Sequence, residues 1–157
     1  MKLPYSWLCL LLLLGLVLIL ASCEQLTPSQ KFEIRHIYNS SYPRCDDAMR
    51  RVNKYNRYNN TCRYLNTFLH TTFADVVHVC GNPNTTCKDG TSTNCHNSSS
   101  QVFMSFCNLT TKAKIYTKCK YEKKTEPMKY YTVACNPRTP WDNPIYPVVP
   151  VHLDRIF

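Results

Sequence analysis

The sequence predicts an α+β fold of three short helices followed by a bent antiparallel sheet, stapled by disulfides. Helix capping signals and 3.6-residue apolar spacing concentrate before residue 81, whereas β-branched and aromatic runs dominate after residue 100. The third observation concerns cysteine. Of ten, Cys9 and Cys23 fall in an apolar leader; the other eight, Cys45, Cys62, Cys80, Cys87, Cys95, Cys107, Cys119 and Cys135, are an even number in an exported chain and read as four bridges.

The leader carries one lysine, an apolar run from Leu8 to Leu20, and Ala21-Ser22-Cys23. That run is short for a bilayer span and ends in small residues, so residues 1–23 are expected to be a cleaved secretory signal and residues 24–157 a single secreted domain. The whole chain has a net charge of +9, and loss of Lys2 leaves 18 basic residues against 10 acidic. This balance favours polyanionic partners, namely RNA, glycans or anionic membrane surfaces, without choosing among them. Sequons at Asn39, Asn59, Asn84, Asn97 and Asn108 are candidate glycan sites.

The first helix opens on Thr27-Pro28-Ser29-Gln30, where Thr27 caps, Pro28 suits the first position and Gln30 closes a capping box. Phe32 and His36 share one face and Lys31 and Arg35 another, so a basic stripe runs beside the imidazole. After Tyr42-Pro43, Asp46 is expected to cap a second helix through Ala48, Met49, Val52 and Tyr55, with Arg50, Arg51, Lys54 and Arg57 on its outer face. A face of this kind is ordinarily just solvated.

Cys62-Arg63-Tyr64-Leu65-Asn66-Thr67-Phe68 leads into a strand over 66–70. Thr67 offers a hydroxyl that donates and accepts, while Asn66 and Arg63 can meet anions. Thr72-Phe73-Ala74-Asp75 starts a third helix that reaches Cys80, and Gly81-Asn82-Pro83 stops it. A polar loop between Cys87 and Cys95 carries Lys88 and Asn94; a zinc site of Cys87, Cys95 and His96 is the less favoured alternative in an oxidising compartment.

Strands are expected over 101–109, 115–122, 129–135 and 145–153. Prolines confine the last to an edge or a bulge. Within it His152 and Asp154 are two apart and face the same side, which lets a carboxylate hold an imidazole by one nitrogen. Taken one at a time, each signal is more simply a strand anchor, a solvated face or surface decoration.

Together they resemble the pancreatic-type ribonuclease superfamily, most closely its eosinophil-associated branch. The matching residues are Lys31-Phe32-Glu33 with His36, the stretch Cys62 to Phe68, Phe73-Ala74-Asp75-Val76-Val77, Tyr131-Thr132-Val133-Ala134-Cys135, and Pro147 through Asp154. The resemblance implies bridges Cys45–Cys107, Cys62–Cys119, Cys80–Cys135 and Cys87–Cys95, a choice that spacing cannot make among about 105 pairings. It implies cleavage of single-stranded RNA 3′ of pyrimidines through a 2′,3′-cyclic phosphate, with no metal or cofactor. His36 then acts as base, His152 as acid oriented by Asp154, and Arg63 as the cation at the phosphoryl oxygens.

Thr67 is implied at the pyrimidine, Asn94 at the following base, and Lys31, Arg35, Asn66, Lys88 and Leu153 among the other substrate contacts. The chain departs from the family motif where Arg63 replaces lysine after the cysteine and Arg35 replaces glutamine before the first histidine. A guanidinium is wider and planar, so slower turnover with RNA binding retained is expected. The stretch 56–61 is expected to be longer than usual, with the Asn59 sequon near the cleft.

Implied partners are RNA, a ribonuclease inhibitor and anionic surfaces or glycans, for a monomer with a host-defence role and storage in granules. The competing function class is a cationic host-defence or chemotactic protein that keeps the fold and acts on membranes or receptors without useful catalysis.

Overall fold

The computed structural model describes residues 25–39, 44–56 and 61–157. The expected signal segment and the Asn59 sequon lie outside them. In chain order the elements are α1 (Pro28–His36), α2 (Cys45–Lys54), β1 (Leu65–Leu69), α3 (Phe73–Val79), β2 (Asn84–Thr85), β3 (Cys95–Asn97), β4 (Val102–Thr111), a 3₁₀ turn (Tyr116–Lys118), β5 (Lys120–Lys129), β6 (Tyr131–Pro137) and β7 (Val148–Ile156). The strands form two antiparallel sheets, ordered β1-β4-β5 and β2-β3-β6-β7. Helices and strands segregate as expected, and all four bridges pair as the resemblance implied, with Cα–Cα separations of 5.6, 6.4, 5.8 and 5.3 Å. Among the described residues, no helix is long and apolar enough to cross a membrane.

Capping explains the helix starts. Thr27 and Gln30 form a reciprocal capping box, the Gln30 N–H donating to Thr27 Oγ1 at 3.1 Å and the Thr27 N–H to Gln30 Oε1 at 2.9 Å. Thr27 also donates to the buried carboxylate of Asp142, which ties the start of α1 to the 138–147 loop. Thr72 accepts from the Asp75 N–H at 3.1 Å and starts α3. Asp46 does not cap α2. That helix begins two residues earlier, at Cys45 after Arg44, and the Asp46 carboxylate is taken by the Tyr121 N–H of β5 at 2.8 Å.

Two apolar clusters fix the architecture. Phe32, Leu69, Val76, Val79, Met104, Tyr131, Val133 and Cys135 join α1 and α3 to both sheets, and Leu153 packs against them from β7. Met49, Ala48 and Val52 of α2 meet Phe68 and the Cys45–Cys107 bridge. Full burial of such side chains stabilises by roughly 1.5–3 kcal/mol each relative to exposure.

The strand boundaries differ most from expectation in β5 and β7. The segment expected as a strand over 115–122 is first a 3₁₀ turn with Ile115 exposed, and pairing starts only at Lys120, past the Cys62–Cys119 bridge. β5 then runs on through a Lys- and Glu-rich stretch at a sheet edge, where charge rather than apolar alternation keeps other strands off. β7 starts at Val148 rather than 145, and Pro150 sits beside a register shift at an edge strand, where its missing N–H leaves no ladder bond unmade. The zinc alternative falls away, since Cys87 and Cys95 are bonded to each other and offer no thiolate.

Candidate active site

His36 is the last residue of α1, one turn beyond the buried Phe32, and the two rings lie 5.3 Å apart. Its Nδ1 lies 2.9 Å from the Thr67 carbonyl. A carbonyl only accepts, so Nδ1 carries the hydrogen and the lone pair is left on Nε2. Burial depresses the His36 pKa from 6.5 to about 4, aided by the positive charges of Arg63, Arg35 and His152 and opposed by the Thr67 carbonyl. The imidazole is therefore neutral at pH 7.

A parallel bridge between Ile37 and Leu69, with the Tyr38 N–H on the Leu69 carbonyl at 2.9 Å, seats the end of α1 against β1. Asn66 strengthens this seat. Its Nδ2 donates to the Arg35 carbonyl at 2.7 Å, while its buried Oδ1 has no hydrogen-bond partner among the described residues. Along β1, Leu65, Asn66 and Thr67 line an open groove of about 370 Å³ with Phe106 and Asn108 of β4 and Lys124 of β5.

Arg63 precedes β1 and is held on three sides. Its N–H donates to Asn53 Oδ1 at 2.9 Å, its carbonyl accepts from the Tyr121 hydroxyl at 2.7 Å, and its own Nε donates to the Leu65 carbonyl at 2.9 Å. Asn53 Nδ2 closes the network on Tyr121 at 2.9 Å. Burial and the neighbouring Arg35 lower the Arg63 pKa from its ordinary value. Two guanidiniums thus share the field around one imidazole.

His152 lies on the exposed face of β7, next to the inward-packed Leu153. Phe32 and Leu153 belong to one apolar cluster, and this packing brings α1 and β7, and with them His36 and His152, to the same region. His152 Nε2 is 3.7 Å from Asp154 Oδ1, an ion-pair distance when the ring is protonated and too long for a hydrogen bond. The Asp154 side chain is only 6% exposed. Its Oδ2 accepts from the Lys88 N–H at 2.8 Å and lies 3.5 Å from Arg155 Nε, and Arg155 in turn donates to the Thr86 carbonyl at 3.0 Å.

Of the other sequence-expected residues, Lys31 is exposed on α1, one turn before Arg35. Lys88 is exposed in the loop whose backbone holds Asp154. Asn94 is half-buried, donating to the Cys135 carbonyl at 3.1 Å and Asn136 Oδ1 at 2.9 Å. Sequence reasoning missed Asn53, Tyr121, Phe106, Asn108, Lys124 and Arg155. Only Arg155 carried a local signal, a cation directly after a carboxylate; Phe106, Asn108, Tyr121 and Lys124 are joined to the site by strand register and Asn53 by the docking of α2. The remaining histidines lie outside it: His70 bonds Ser105 Oγ at 2.8 Å and His96 the Asn82 carbonyl at 2.7 Å, while His78 is exposed on α3.

The model of the pancreatic ribonuclease family matches residues 27–154. Ribonuclease 2B of Mus musculus is 67% identical over 157 residues, covering 100% of this chain and 99% of its own. Eosinophil cationic protein of Rattus norvegicus is 62% identical with the same coverage, and non-secretory ribonuclease of Mus musculus is 62% identical over 99% of this chain and 98% of its own. An extended match at these identities leaves one conclusion: the chain belongs to the pancreatic ribonuclease family, in its eosinophil-associated branch.

Proposed function

We propose that this protein cleaves single-stranded RNA on the 3′ side of pyrimidines by transphosphorylation. His36 Nε2 takes the 2′-hydroxyl proton and O2′ attacks the adjacent phosphorus. The bond to O5′ breaks as protonated His152 gives that oxygen a proton, leaving a 2′,3′-cyclic phosphate. Each proton transfer of this kind contributes typically ~10²–10⁴-fold. Arg63 and Arg35 meet the charge on the non-bridging phosphoryl oxygens, where fixed cations act without reorganising. Asp154 positions His152 by charge, and the Thr67 hydroxyl and N–H pair with a pyrimidine in the groove lined by Phe106.

The observation that carries this reading is the setting of His36: the Thr67 carbonyl holds the hydrogen on Nδ1 and leaves the lone pair on Nε2, with Arg63, Arg35 and His152 close enough to act on the ring's charge. Arg63 favours slow turnover, because its Nε is spent on the Leu65 carbonyl and only its outer nitrogens can reach a phosphate. A host-defence role with little catalysis is the second reading, favoured by the same tethered guanidinium and by the net positive charge. Cleavage of a cytidine-adenosine dinucleotide by the folded protein and by Arg63→Lys decides between them. Turnover in neither, with both folded, removes the enzyme; membrane leakage that survives His36→Ala supports the second reading.

A further inference from the structure

The strand register puts a sequon inside the groove assigned above to the pyrimidine. Leu65 pairs with Asn108 and Thr67 with Phe106 across β1 and β4, while Asn108 pairs with Glu122 and Phe106 with Lys124 across β4 and β5. Side chains two residues apart share a sheet face, so Leu65 and Asn108 form one row and Thr67, Phe106 and Lys124 the next, separated by about 7 Å along the strand. Asn108, half-buried, is one wall of the groove. It is followed by Leu109-Thr110, which makes it a glycan acceptor.

The other sequons among the described residues sit elsewhere. Asn84 and Asn97 are exposed on β2 and β3 of the second sheet, and Asn39 is exposed beyond α1. None of these three lines the groove.

We infer that Asn108 is an N-glycosylation site whose sugar occupies the base groove, so that the protein exists as an open form and a glycan-obstructed form of lower ribonuclease activity. The inference rests on the proposed base-binding role of that groove. In the covalent step, Asn108 Nδ2 bonds to the anomeric carbon of a lipid-pyrophosphate-linked oligosaccharide. The bond from that carbon to the pyrophosphate oxygen breaks, the lipid pyrophosphate leaves with the electron pair, and the amide loses one proton. Transfer takes place on the extended chain during export, before β4 is enclosed by β1 and β5, so the folded sheet is no barrier. Once the sheet closes, the sugar is attached at the half-buried wall of the open groove, beside the place where a base would enter. A groove filled nine-tenths of the time raises the apparent KM about tenfold, since only the open fraction binds.

The test uses the full chain secreted from mammalian cells, beside Thr110→Ala and Thr110→Val, which abolish this sequon and keep Asn108 and the other acceptors. Site-resolved glycopeptide mass spectrometry should find sugar on Asn108 of the wild type. With the cytidine-adenosine dinucleotide, that glycoform should show a KM higher by about tenfold and a kcat within about twofold of the variants. An unmodified Asn108 in a chain glycosylated elsewhere overturns the inference, as does an equal KM. If the variants fold and cleave nothing, the ribonuclease reading fails by itself, and binding of 3′-cytidine monophosphate decides the inference: about tenfold weaker binding to the glycoform supports it and equal binding overturns it.

Discussion

Replacing Asn53 by alanine tests how Arg63, the proposed active-site cation, is held. Asn53 is fully buried, accepts the Arg63 N–H and donates to the Tyr121 hydroxyl, both at 2.9 Å. The substitution deletes two hydrogen bonds, at about 1 kcal/mol each, and orphans the Arg63 donor at about 1–3 kcal/mol, for a loss of about 3–5 kcal/mol. The Tyr121 bond to the Arg63 carbonyl survives and the Cys62–Cys119 bridge keeps the segment nearby, so the molecule should still fold. Guanidinium unfolding with disulfides intact should show a lower midpoint at unchanged slope. Loosening Arg63 should also lower kcat on the dinucleotide by about 10- to 100-fold, the effect of a misplacement near 1 Å. An unmoved midpoint would refute the account of the network. A lowered midpoint with unchanged kcat would show that Arg63 does not need this anchorage to act.

The His36 pKa makes two linked predictions. Its protonated form is disfavoured in the folded state, so stability should fall as pH drops from 6.5 towards 4 and the unfolded chain takes up the proton first, by up to about 3 kcal/mol in all; His36→Ala should flatten that slope in pH-dependent unfolding. For the same reason the acidic limb of kcat/KM should lie near pH 4, and a limb near 6.5 would contradict a buried, cation-flanked base. Arg63→Lys should raise kcat by about tenfold, because an ammonium on a flexible stem can turn to one oxygen where the tethered fork cannot; an unchanged or lower kcat in a steady-state assay would remove this explanation. Thr27→Ala should cost about 2–3 kcal/mol in denaturant unfolding, since it removes the α1 cap and leaves the buried Asp142 short of a donor.

The helices were legible because their starts are chemical: Thr27-Pro28 and Thr72 supply caps that need no knowledge of the rest of the chain. Asp46 misled because a carboxylate before a helix can also serve a strand, here the Tyr121 N–H seventy-five residues away. β5 stayed hidden because its edge position rewards lysine and glutamate over apolar alternation. Of the proposed site, His36, Arg63, Thr67, His152 and Asp154 could be named because each sits in a motif. Asn53 and Asn108 could not. A buried amide and a groove wall are properties of register and packing, and local sequence looks the same whether or not they arise.

The order of the two imidazoles along the chain has a further consequence. One lies in α1 and the other on β7, which must dock on β6 before the two come together. On the reading proposed above, a molecule that loses the β6–β7 pairing loses the pair of imidazoles with it, so damage at that one edge would silence cleavage while the β1-β4-β5 sheet persists.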